Sequence, residues 1–250
     1  MLPYPKVILL DLDDTLISFE GVSEQAWEKC CSDFTICHEI PYDTAELLEC
    51  INTTRKWYWS DPERHKRGRS DMLSARREIV ALAMKKLNIH DGILSNELAD
   101  SYSNYREKLI HLFPHTLRAL DELKSTGIRL GMITNGTKES QRSKLDRFAL
   151  TEYFEHILVE GEVGFGKPDE RIYRMALSLF NVLSRDCWMI GDNLVWDVQA
   201  PQELGIHAIW YDYRGAGLPQ DSSILPNHVI CDVMELLPLI ANNKGKCFKR

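Results

Sequence analysis

No apolar run in this chain approaches the roughly 20 residues that a membrane-spanning helix needs. The first such run, Val7-Ile8-Leu9-Leu10, stops at Asp11. The opening stretch Met1-Leu2-Pro3-Tyr4-Pro5-Lys6 lacks the basic start and continuous apolar centre of a secretory signal. A membrane partner is therefore not expected. Positive charge is also outnumbered, 30 Lys and Arg against 37 Asp and Glu. A net charge of −7 argues against a nucleic acid polymer held across a whole face, and leaves room only for a local basic pocket that takes a small anion. No C-x-x-C pair occurs among Cys30, Cys31, Cys37, Cys50, Cys187, Cys231 and Cys247, and their number is odd. A disulfide framework and a zinc site are thus not expected, and reduced thiols of a cytoplasmic protein are. Internal repeats and low-complexity linkers are absent too.

What the chain does have is two textures. Its 250 residues suffice for one large domain, or for one domain and a smaller one. Residues 6–11 read as a buried strand. From 18 to 111 the patterns are helical, near 23–36, 43–60, 71–88 and 95–110. Met72, Leu73, Ile79, Val80, Leu82, Ala83 and Leu87 form an apolar stripe at helical spacing, which reads as core. After about 112, strands and helices alternate. Helix 115–126 ends at Gly127, and strand 128–133 follows. A helix near 138–148 leads to strand 156–159, and helix 169–181 to strand 187–190. A helix near 196–204 stops at Gly205, strand 206–210 follows, and a last helix lies near 232–240. Such alternation predicts an α/β fold, a Rossmann-like doubly wound parallel sheet with helices on both faces. The α/β core would be discontinuous, 1–17 and 112–241, with 18–111 as an inserted all-helical domain. Residues 242–250 read as a polar, basic, frayed tail.

Ligands of open α/β sheets gather at the C-terminal ends of the strands. The first strand ends in Asp11-Leu12-Asp13-Asp14-Thr15. Strand side chains alternate, so Asp11 and Asp13 share a face if the extended geometry continues that far. Two carboxylates placed together repel, and a cation or partial protonation relieves them. The second strand leads to Thr134-Asn135-Gly136, the third to Gly166-Lys167-Pro168-Asp169, and the fourth to Gly191-Asp192-Asn193 with Asp197 beyond. Each has a plain alternative: Thr134 as a helix cap, Lys167 as a solvated loop lysine, Gly191-Asp192 as a turn, Asp197 as an exposed helix residue. At corresponding points of successive strands they describe a site. Up to four carboxylates favour a hard divalent cation, Mg²⁺ in particular. Lys167, the Thr134 hydroxyl, and the amides of Asn135 and Gly136 near a helix start suit an anion. Together these are the parts of a phosphate site.

These residues resemble the haloacid dehalogenase (HAD) superfamily. Its D-x-D-x-T stands here as Asp11-Leu12-Asp13-Asp14-Thr15, its second-motif Ser/Thr as Thr134, its Lys-Pro as Lys167-Pro168, and its G-D-x-x-x-x-D as Gly191 to Asp197. The resemblance covers about residues 6–240. It implies a Mg²⁺-dependent phosphatase of small phosphate monoesters, of the nucleotide or sugar phosphate class. Asp11 would be the nucleophile that forms an aspartyl-phosphate, and Asp13 the general acid and then base. Mg²⁺ would sit on the Asp11 carboxylate, the Asp13 backbone carbonyl and Asp192, with Asp197 supporting that shell. Thr134, Asn135, Gly136 and Lys167 would hold the phosphoryl oxygens. Asp13 separates phosphoryl chemistry from the dehalogenases that name the family, which lack it. A phosphomutase needs the same residues, and a non-catalytic phosphate-binding module would be expected to have lost some of them. The helical insertion resembles an α-helical cap that excludes water and selects substrate.

Within the insertion, Trp57-Tyr58-Trp59 precedes Arg64, His65, Lys66, Arg67 and Arg69. Either the aromatics stack on a base or sugar beside an arginine that pairs with an anion, or they are core and the basic run is a solvated turn in which Gly68 relieves a tight bend. His111 and His115 carry no assigned role. Cys187 and Trp188 read as packed in the sheet.

Overall fold

Val7–Leu10 forms β1, buried on both faces, as expected of a run of branched apolar side chains inside a parallel sheet. The computed structural model of the protein describes residues 4–38 and 40–244. After β1 come β2 (Ile17–Ser18), α1 (Ser23–Cys37), α2 (Thr44–Trp59), α3 (Pro62–Ser70), α4 (Met72–Lys86), α5 (Gly92–Leu109), β3 (His111–Leu112), α6 (Thr116–Ser125) and β4 (Arg129–Thr134). The chain continues through α7 (Lys138–Arg147), β5 (His156–Val159), α8 (Glu160–Val163), α9 (Glu170–Phe180), β6 (Cys187–Gly191), α10 (Ala200–Glu203), β7 (His207–Tyr211), β8 (His228–Ile230) and α11 (Leu236–Lys244). Two units result: one contains the segments up to Ser18 and from Leu112 onward, and the other is Phe19–His111.

The first unit holds a six-stranded sheet in the order β5-β4-β1-β6-β7-β8. Every neighbouring pair is parallel. From β1 the chain adds strands first on one side and then on the other, which puts the topological switch point beside β1. Leu10 stands opposite Met132 of β4 and Ile190 of β6. On one face Val7, Leu9, Ile133, Cys187 and Met189 pack with Ile172, Tyr173, Ala176 and Phe180 of α9. Those α9 positions recur at three- and four-residue spacing, the stripe a helix lays on a sheet. Burying each large side chain contributes on the order of 1.5–3 kcal/mol. Gly127 has φ +83° and ends α6 as the sequence predicts.

The second unit is helical. Asp43, Asp61, Asp71 and Asp91 each accept a backbone N–H from the first turn of α2, α3, α4 and α5. Its core gathers Trp27, Phe34, Leu47, Ile51, Val80, Met84, Leu98 and Tyr102, with the Trp27 and Tyr102 rings stacked at 3.7 Å.

Several expectations need correction. The basic run after Trp59 is not a turn but helix α3, started by Pro62 and the Asp61 cap. Gly68 lies inside it, and a Cβ there would sit 2.7 Å from the Trp59 ring. Close packing rather than a bend calls for glycine. Tyr58 is core and Trp59 packs against it, whereas Trp57 is exposed. Arg64 covers the Trp57 ring at 4.0 Å and donates to the Trp57 and Tyr58 carbonyls, closing the end of α2. In α4, Ile79, Val80 and Ala83 are buried but Leu73 is exposed. Strands β2, β3 and β8 lacked a sequence signal, being two or three residues each. The last helix runs on to Lys244 rather than stopping near 240, so Asn242–Lys244 are helical. The rest of the expected tail, from residue 245, and Cys247 lie outside the described residues. The other six cysteines are free thiols. Among the described residues no helix is long and apolar enough to cross a membrane.

Candidate active site

The adjacent strands β4, β1 and β6 end together, and each delivers one polar segment. β1 stops at Leu10, but the Asp11 N–H still donates to Ile190 O at 2.9 Å, so Asp11 keeps the sheet's direction. The chain then folds back. Asp14 adopts φ +57°, a conformation that Asp tolerates, and its N–H donates to Ile17 O at 2.7 Å. The strand alternation does not reach Asp13, and the two carboxylates go to different partners.

Asp11 Oδ1 lies 2.8 Å from Lys167 Nζ. That ammonium also donates to Asp197 Oδ1 at 2.6 Å. Carboxylate oxygens of Asp11, Asp192 and Asp197 lie within 4.8 Å of one another. Asp197 is fully buried, so its reading as an exposed helix residue falls away. It sits on a π-helical turn, Leu194–Gln199, of the kind that recurs at functional sites. Asn193 caps this turn by accepting from the N–H groups of Val195 and Trp196, and its own N–H donates to Asp197 Oδ2 at 3.1 Å. Gly191 makes the approach possible, since a Cβ there would stand 2.3 Å from Asp197 Cγ.

Burial dominates the electrostatics. It pushes Asp11 up to about 7, against the opposing pull of Lys167 and helped by Asp197. Burial, with the Asp11 and Asp197 carboxylates adding to it, also raises Asp192 well above the carboxylate range. For Lys167 burial works downward, but Asp11 and Asp197 outweigh it and hold the ammonium above its usual value. Three carboxylates against one ammonium leave two negative charges unbalanced when all are ionised. An all-oxygen donor set with a deficit of two positive charges fits a hard divalent cation. Asp11 and Asp192 could hold it. Both Asp197 oxygens already have donors, which suits support of that shell.

The Asp13 carboxylate does not join this cluster. It accepts from Lys144 and Gln141 of α7. Thr134 Oγ1 accepts from Gln141 Nε2 at 2.5 Å, which leaves its hydroxyl hydrogen to be donated to an anion. Asn135 has a further use for its side chain. Its side-chain amide exchanges two hydrogen bonds with the Lys167 backbone, at 2.7 and 2.8 Å, and so anchors the lysine's loop. The Gly136 N–H donates to Glu160 Oε2 at 3.0 Å. Lys144 and Gln141 were missed from the sequence. A signal existed: α7, KESQRSKLDR, has Leu145 as its one apolar residue, so any face that this helix buries must include polar side chains.

The family model for haloacid dehalogenase-like hydrolases matches residues 5–205. Glyceraldehyde 3-phosphate phosphatase of Pyrococcus furiosus is 30% identical over 96% of this chain and 95% of its own. N-acylneuraminate-9-phosphatase of Rattus norvegicus is 25% identical over 94% of this chain and 93% of its own. Among solved structures, the HAD-hydrolase YfnB of Bacillus subtilis, in a magnesium-bound form, has the same fold. Its TM-score is 0.72 at 20% identity, covering 95% of this chain and 99% of that one. The chain belongs to the haloacid dehalogenase-like hydrolase family, and it is a hydrolase.

Proposed function

We propose that this protein is a Mg²⁺-dependent phosphatase of small phosphorylated metabolites that works through an aspartyl-phosphate on Asp11. The observation that carries this reading is the division of labour between the two aspartates of the first motif. Asp11 is paired with Lys167 inside the acidic cluster. Asp13 is held apart from that cluster by α7. Displacement of halide from a haloacid expels a stable anion that needs no proton, whereas a phosphate monoester expels an alkoxide that does, so the presence and placement of Asp13 support phosphoryl transfer. The relatives' names, glyceraldehyde 3-phosphate phosphatase and N-acylneuraminate-9-phosphatase, support a small phosphate monoester as the substrate.

In the proposed reaction an Asp11 carboxylate oxygen attacks phosphorus in line with the ester oxygen. As that bond forms, the bond to the leaving oxygen breaks, and Asp13 gives the leaving oxygen its proton. Lys167 and the Thr134 hydroxyl hold the transferring oxygens while charge spreads over them. Asp13, now a carboxylate, takes a proton from water as the water oxygen bonds to phosphorus and the bond to Asp11 breaks. Inorganic phosphate leaves and both aspartates return to their starting states. Mg²⁺, when bound by Asp11 and Asp192, supplies positive charge that lowers the repulsion between the nucleophile and the phosphate dianion. The helical unit is the proposed seat of substrate choice.

Turnover of p-nitrophenyl phosphate, with Mg²⁺ and after chelation, tests the reading beside an Asp11→Asn variant. Activity should require Mg²⁺ and fall at least about 10⁴-fold in the variant, the order seen when a nucleophile is removed. Equal, residual turnover by both proteins across a panel of phosphate esters would overturn it.

A further inference from the structure

Asp13 is gripped from one side by two buried polar residues of α7. Lys144 Nζ donates to Asp13 Oδ1 at 2.7 Å and to Oδ2 at 2.9 Å. Gln141 Nε2 donates to the same Oδ2 at 3.0 Å. Residues 141 and 144 are three apart, so they share a helix face, and they are 1% and 2% exposed. They are also joined to each other: Gln141 Oε1 accepts from Lys144 Nζ at 2.9 Å. The second function of Gln141 Nε2 is its hydrogen bond to Thr134 Oγ1. One amide therefore ties the second aspartate of the first motif to the hydroxyl of the second motif.

Burying a lysine and a glutamine is costly unless each polar atom is satisfied, and an apolar pair would pack more cheaply. The arrangement does restrict Asp13. Contacts to both oxygens from one ammonium, with a third contact to one of them, fix the rotation of the carboxylate plane as well as its position. A general acid must lie within about 2.6–3.2 Å of the atom it protonates, and a displacement of about 1 Å can lower a rate on the order of 10²-fold. Thr134 faces the transferring oxygens in the proposed reaction, while Asp13 faces the leaving oxygen. A shared amide keeps those two ends of the reacting group in register.

We propose that Lys144 is a positioning residue for proton transfer by Asp13, and that Gln141 couples this carboxylate to Thr134. The inference rests on Asp13 being the acid and base of the phosphatase reaction described above. Lys144 keeps its protons throughout; the protons that move are those exchanged by Asp13 with the leaving oxygen and with water. Its effect should therefore depend on how much the leaving group needs a proton, which a purely structural ion pair would not.

The test uses the whole protein with Mg²⁺ and two esters of similar size. Benzyl phosphate releases an alkoxide that needs protonation, and p-nitrophenyl phosphate releases a phenolate that does not. kcat/KM is the quantity to compare, because it reports events up to phosphorylation of Asp11. Lys144→Met should lower kcat/KM for benzyl phosphate about 10²-fold and for p-nitrophenyl phosphate by less than about 10-fold. Inhibition by inorganic phosphate should change less than about 2-fold, since the lysine does not hold the anion. Lys144→Arg should recover part of the loss, and Gln141→Met should show the same selectivity more weakly. Equal losses on both esters, no loss on benzyl phosphate, or a loss of phosphate inhibition would each overturn the proposal. If Lys144→Met does not fold, the same criterion applied to Lys144→Gln and Gln141→Met decides. A wild-type protein inert to both esters would instead overturn the phosphatase reading itself.

Discussion

Lys167 meets two carboxylates within 2.8 Å in a fully buried setting. Its loop is fixed by Asn135, and Asp197 is fixed by Asn193. This rigidity means that small changes nearby cannot be absorbed. Gly191→Ala is the sharpest case. The added Cβ would lie 2.3 Å from Asp197 Cγ and 2.4 Å from Oδ2, and Asp197 cannot swing away without breaking its contacts to Lys167 and Asn193. Overpacking of this kind costs roughly 1–3 kcal/mol. The expected outcome is a loss of that size in chemical denaturation, together with a clear fall in phosphatase activity. Unchanged stability and activity would show that the turn is more pliant than its hydrogen bonds imply. Asp11, Lys167, Asp192 and Asp197 were legible as residues because each follows a strand end in a recognisable spacing. Gln141 and Lys144 were not. Their role comes from a helix face meeting a loop 131 residues away from Lys144 in sequence; the scarcity of apolar residues in α7 says that polar side chains are buried there, but not what they meet.

Helix α3 shows how an element can escape a reading by composition. Its polar run, PERHKRGRS, offers no apolar stripe. The helix forms through its Asp61 cap, Pro62 at its start, and attachment to neighbours, including the Arg67 to Glu78 ion pair at 3.1 Å. Gly68 faces the Trp59 ring, which is itself edge-on to Tyr58 and His65. Two effects oppose each other in Gly68→Ala. Helix propensity favours alanine by about 1 kcal/mol, whereas a 2.7 Å contact with a held ring costs roughly 1–3 kcal/mol. The clash should win, and the variant should melt lower than wild type. Gly92→Ala is the control, because nothing lies within 4 Å of a Cβ there; it should be neutral or slightly stabilising. A stabilised Gly68→Ala protein would mean that the ring moves freely. Strands β1, β4, β6 and β7 were legible because apolar runs of this length recur between helices. β8, with three residues of which one is buried, depends on the edge of β7 for its existence.

At the scale of the whole molecule, the α/β unit carries a buried acidic cluster whose charge it does not itself balance. Asp11 stands at about 7 in the fold against an ordinary value of 3.8, chiefly through burial. The sign follows from linkage. Below the unfolded value both states hold the proton. As pH rises toward 7, the unfolded chain releases it first, so the stability present at low pH is lost by the time pH passes the folded value. Chelated protein should therefore melt lower at about pH 8 than at about pH 6, and Asp11→Asn should shrink that difference. Mg²⁺ should raise the melting temperature, more at the higher pH, where it does not compete with a proton. Thermal melts at the two pH values, with Mg²⁺ and with chelator, check both parts; no response to Mg²⁺ at either pH would count against the cluster as a cation site. The sequence by itself determined the alternation of strands and helices, the family, and the four motif positions, because period, glycine punctuation and motif spacing are local properties of a chain. Tertiary structure alone decided that Asp11 and Asp13 part company, that Asp197 is buried against Gly191, and that Lys144 and Gln141 hold the second aspartate. Those outcomes depend on which side chains converge at the ends of β4, β1 and β6, and convergence in space is set by strand order and helix packing rather than by neighbours in sequence.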